Sequence, residues 1–83
     1  MQTVVIKQEV SFVEMTAVEN SSQIAAIGYD QSAKVLHVQF HSGGTYAYED
    51  VPADMADAFA KSDSKGRFLS THIKGRHPYR QVS

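Results

Sequence analysis

The chain has no cysteine, only two prolines, and no long apolar run among its 83 residues. Without cysteine it can form neither a disulfide nor a thiolate metal site, and it has no cysteine nucleophile. No stretch approaches the roughly 20 apolar residues that a membrane-crossing helix needs, so no membrane partner is expected. The N-terminus has no charged-then-apolar leader pattern and an acidic residue, Glu9, arrives early. A cytoplasmic location is therefore expected.

What remains is ordinary for one small globular domain. Hydrophobic residues make up 42% and charged residues 20%, too apolar a mixture for a disordered chain. A chain of this length buries only about 60 to 65% of the surface that its unfolded form exposes, so its stability is modest.

The net charge of -1 conceals a split. Residues 1–60 carry two basic residues, Lys7 and Lys34, against eight acidic ones, a balance of -6. Residues 61–83 carry Lys61, Lys65, Arg67, Lys74, Arg76 and Arg80 against Asp63, a balance of +5. Such asymmetry points to an anionic partner, although solvated helix surfaces also need charge.

Residues 4–18 are rich in β-branched side chains and read as strand, either one or two broken near Gln8. The spacing of Ile6, Val10, Val13 and Ala17 also fits a helical stripe. Residues 23–30 read as a further strand closed by Asp30, Gln31 and Ser32. The plainest strand is 35–41, where Leu36, Val38 and Phe40 alternate with His37, Gln39 and His41. A Ser42-Gly43-Gly44 turn leads to a partner strand over 45–49.

After Asp50 the period changes. Pro52 suits the first position of a helix and Asp50 a cap before it. Met55 and Phe59 then face inward, and Asp57 and Lys61 stand at salt-bridge spacing. A second short helix is expected over 65–74, entered through Ser62–Ser64, with Phe68, Leu69 and Ile73 inward. Gly75 caps it and Pro78 forbids continuation. Strands first and helices last imply an α+β fold, a small antiparallel β-meander followed by two short helices packed on one face.

Four blocks, SSQIAAIGYD (21–30), LHVQF (36–40), GTYAYEDVP (44–52) and SKGRFLSTHIKGRHPY (64–79), together resemble the KTSC domain family. Its mark is a YxY motif, here Tyr46-Ala47-Tyr48. Leu69 and Ser70 depart from the family pattern, standing where an aromatic and an asparagine are expected. The family is named for its place at the C-terminus of some lysyl-tRNA synthetases and also occurs as small stand-alone bacterial and phage proteins. The resemblance implies a domain over 18–80, an arm or extra strand over 1–17, and a tail at 81–83. From the synthetase context it also implies RNA as a partner.

Tyr46 and Tyr48 project to one face of their strand. Exposed, they would stack unpaired bases. A two-residue loop would place them on the polar face. A three-residue loop at 42–44 pairs Phe40 with Tyr46 and Val38 with Tyr48, gathering every large apolar residue on one side. One-sided burial specifies register, so both tyrosines are assigned to the core.

The basic segment is the stronger binding candidate. Arg67, Thr71 and Lys74 follow helical spacing; Lys65 precedes them, and Arg76 and Arg80 extend the positive surface. Such clusters hold nucleic-acid backbones without reading sequence, and Tyr79 and His77 could add stacking. The four histidines form no metal set: on a strand His37 and His41 lie about 14 Å apart, and no third or fourth ligand converges. No nucleophile elbow or phosphate loop occurs, so neither enzymatic activity nor a cofactor is expected. Two partner classes stand: RNA on the basic surface, or a protein recruited through the β-prone N-terminal arm.

Overall fold

The computed structural model describes residues 14–83. The expected strand over 4–18 falls mostly outside these residues; its end forms β1, Thr16–Ala17. Four further strands follow, β2 (Ile24–Asp30), β3 (Val35–Phe40), β4 (Thr45–Tyr48) and β5 (Tyr79–Gln81). They make one antiparallel sheet in the order β1-β2-β3-β4-β5. Helix α1 (Ala53–Lys61) and α2 (Lys65–Phe68), prolonged by a π-helical turn Leu69–Ile73, lie between β4 and β5 in the chain.

The core forms between one face of this sheet and the helices. Ile24, Leu36, Val38, Val51, Phe59, Leu69 and Ile73 are fully enclosed. In β2 the register shifts between Ile24 and Ala26, an irregularity that lets residues three apart, Ile24 and Ile27, both reach the core. The turn after β2 is held by Asp30, whose carboxylate accepts bonds from the Ser32 and Ala33 amides at 3.1 and 3.2 Å.

The β3–β4 hairpin keeps the expected faces but not the expected register. Val38 pairs with Tyr46 and Leu36 with Tyr48, so Phe40 stands opposite Gly44 and the loop is His41-Ser42-Gly43. The Phe40 amide bonds Gly44 O at 2.9 Å and the Gly43 amide bonds Phe40 O at 3.0 Å. Gly43, at φ +113, supplies the positive φ that closes this loop.

In α1, Phe59 and Ala56 are buried, Met55 packs partly against the core, and Asp57 and Lys61 meet at 3.0 Å. Pro52 is the N-cap residue rather than the first helical one, and Asp50, at φ +58, gives no side-chain cap. The second helical segment runs over 65–73, close to the expected 65–74, but it is α-helical only as far as Phe68. Beyond Phe68 the turn widens, the Lys74 amide bonds Leu69 O at 2.8 Å, and Lys74 itself is extended. Gly75, at φ +79, ends the segment. The chain then does not trail off: Tyr79–Gln81 pairs with β4, and the Val82 amide bonds Thr45 O at 2.8 Å. Of the residues set apart as a tail at 81–83, Gln81 lies in this strand and Val82 extends its bonding to β4.

Candidate functional site

Burial falls off along β3 and β4 toward their shared turn. On β3, Leu36 and Val38 are enclosed while Phe40 is only half-buried. On β4, Tyr48 is 2% exposed whereas Tyr46 is half-buried. The two tyrosines assigned together to the core therefore part company, because the helical layer covers the Tyr48 end of the strand more fully. Burial, and after it the neighbouring Tyr79 and Tyr46, push the Tyr48 hydroxyl above its ordinary pKa.

The partly covered end carries a continuous aromatic shelf. Phe40 and Tyr46 meet edge to face at 5.7 Å between centroids. Tyr79 lies 5.8 Å from Tyr46 and 5.7 Å from Tyr48. The β4–β5 register explains this, since Tyr48 pairs with Tyr79 and all three tyrosines point to the helix side of the sheet. Tyr79 remains 62% exposed. Across the shelf, Lys74 holds its ammonium 5.6 Å from the Phe40 ring centroid. Phe40, Tyr46, Tyr79, Ser42 and Lys74 line one depression of about 530 Å³.

A second depression, of about 400 Å³, is lined by Lys65, Arg67, Ser70, Asn20 and Gln23, together with the Asp63 carboxylate. Lys65 donates to Ser62 O at 2.9 Å, which keeps its stem close to the surface. Gly66 permits the close approach of Gln23, whose Oε1 a Cβ would meet at 2.9 Å.

The basic residues singled out by sequence are thus not one surface. Arg67 and Lys74 were expected to share a helix face; the π turn and the extended Lys74 backbone break that spacing, and they line different depressions. Arg76 is exposed just past the helix end. Arg80 departs altogether: it pairs in register with Ala47, on the face opposite the tyrosines, and its guanidinium is bonded to Glu49.

The histidines are also apart. His41 lies in the turn rather than on the strand, with Nε2–H donating to Ser21 O at 3.1 Å. His77 Nδ1–H donates to Glu49 O at 3.2 Å. Among the described residues no three potential metal ligands cluster, and no helix is long and apolar enough to cross a membrane.

Phe40 stands on the expected core face and packs against the core, but it is only partly covered there. The signal for this was its place as the last apolar residue before the turn. Sequence reasoning missed that Tyr79 belongs with the YxY pair, which only the β4–β5 pairing reveals.

Known proteins of similar shape and sequence bear on this arrangement. The KTSC domain family matches residues 20–79. An uncharacterised protein of Stutzerimonas stutzeri is 39% identical over 57 residues, covering 69% of this chain and 80% of that protein. A protein of Tsukamurella paurometabola is 39% identical over 56 residues, covering 68% of this chain and 84% of its own length. The crystal structure of a KTSC domain protein from Yersinia pestis superposes with a TM-score of 0.82 at 38% identity, over 87% of this chain and all of that one. The chain belongs to the KTSC domain family.

Proposed function

We propose that this KTSC domain is a non-catalytic binding domain for RNA, held through the phosphate backbone by Lys65, Arg67, Lys74 and Arg76. The observation that carries the reading is how the basic residues are partnered. Of the six basic residues in 61–83, Lys61 and Arg80, the two outside this set, are ion-paired with Asp57 and Glu49. Among the described residues, the four inside it form no salt bridge with a carboxylate. Four cations outside any close ion pair, against the single carboxylate Asp63 in the same stretch, are suited to a polyanion.

A filter-binding titration against short RNA at low salt tests the proposal. Binding should weaken steeply as salt rises, since each phosphate contact releases counterions. Absence of binding, or binding indifferent to salt, sinks it. Recovery of a protein partner that survives nuclease treatment would favour protein recruitment instead.

A further inference from the structure

The aromatic shelf has no role in holding phosphates, and its chemistry is distinct. Isolated exposed rings are ordinary on protein surfaces, but Tyr79 is not isolated: it is braced by Tyr46 and Tyr48 and continues through Tyr46 to Phe40. An exposed ring held by neighbouring rings at a sheet edge offers one face for stacking. The rings tilt against one another by 36 to 79°, so no parallel slot exists between them. A planar ligand must lie on the outer face, against Tyr79. Lys74, on the wall of the same depression, puts a cation beside it.

A nucleotide joins a planar π-system to a negative charge and so matches both features. We infer that the shelf of Phe40, Tyr46 and Tyr79 receives one unpaired nucleobase, stacked on Tyr79, with Lys74 against a flanking phosphate. The inference rests on the RNA reading above and narrows it to single strands, because a base inside a duplex has both faces already stacked. An aromatic groove alone would also suit a proline-rich peptide. The lining of this depression holds the Lys74 cation and no carboxylate, which favours the polyanion.

The test compares three fluorescently labelled probes by anisotropy: an oligouridylate of about ten nucleotides, an abasic strand of equal length, and a duplex of equal length. The oligouridylate should bind about ten-fold or more tighter than the abasic strand, and tighter than the duplex. Tyr79→Ala should cut oligouridylate affinity by about ten- to hundred-fold, leave abasic binding unchanged, and leave the salt slope unchanged. Tyr79→Leu, which keeps apolar bulk on the edge strand, should lose affinity likewise. If Tyr79→Ala does not fold, Tyr79→Leu and the base-against-abasic comparison on the unaltered chain still decide. Equal affinity for oligouridylate and abasic strand overturns the shelf while phosphate binding stands. No binding of any strand overturns both. A proline-rich peptide that binds and is lost with Tyr79→Leu, while oligouridylate is not, also overturns the shelf.

Discussion

The ring of Tyr46 lies across Gly44, two residues before it on the same side of the chain: a Cβ at Gly44 would stand 3.1 Å from Tyr46 Cε1 and 3.2 Å from Gln81 Nε2. Both obstructing groups are side-chain ends, and Tyr46 is only half-buried, so they can yield. Overpacking and the entropy gained by replacing glycine act in opposite directions. Gly44→Ala should therefore change stability by no more than about 1 kcal/mol, yet tilt the Tyr46 ring and with it Tyr79. Urea melts and the aromatic proton shifts of the two tyrosines check this. A large stability loss with unmoved ring signals would show that Gly44 serves the backbone, not the ring.

The unequal burial of the YxY pair has its own consequence. Tyr48→Ala removes a ring that is 2% exposed and packed in the core, and should cost about 3 to 5 kcal/mol. Tyr46→Ala should cost less, about 1 to 2 kcal/mol, mostly through lost ring pairs with Phe40 and Tyr79. Equal costs, or the reverse order, in denaturant midpoints would mean that the helical layer covers both.

Much of this was legible along the chain, and what was not has a physical reason. Leu36, Val38 and Phe40 alternate cleanly enough to assign their face. A two-residue slide of the hairpin preserves that face, so alternation alone could not choose between a loop at 42–44 and the observed one at 41–43. The π turn over Leu69–Ile73 differs from an α turn by less than one residue, too little for five residues to betray. β5 was hidden because three residues carry no period, and its partner lies some thirty positions earlier. Missing β5 meant placing Arg80 with the other cations, when the strand turns it to the opposite face beside Glu49.

On that opposite face His37 gives a pH signature. Burial pushes its imidazolium below the ordinary range; Arg80 adds to this, and Asp30 opposes it. The folded state thus favours the neutral ring, while the unfolded chain protonates near the usual pKa of about 6.5. Stability from this source is fully present above that value and is lost as pH falls through the folded-state pKa. His37→Gln should flatten the decline in urea midpoint between about pH 7 and pH 5. An unchanged decline would assign it to other groups.

The partnering of the cations yields the sharpest contrast. Arg67 and Lys74 are exposed and lie in separate depressions, each proposed to meet a phosphate. Replacing both with Gln should weaken binding to all RNA sequences alike, since phosphate contacts carry no base information. The log–log salt dependence should flatten by about 0.7 per lost contact on a single strand. The melting temperature should move little, since exposed substitutions usually change stability by less than about 0.5 kcal/mol. Arg80→Gln is the internal control. Its charge is met by Glu49 on the far face, so its removal should leave both affinity and salt slope as they were. If Arg80→Gln matters as much as Arg67→Gln, the bound strand crosses the β5 edge and the phosphate path must include both faces of the sheet.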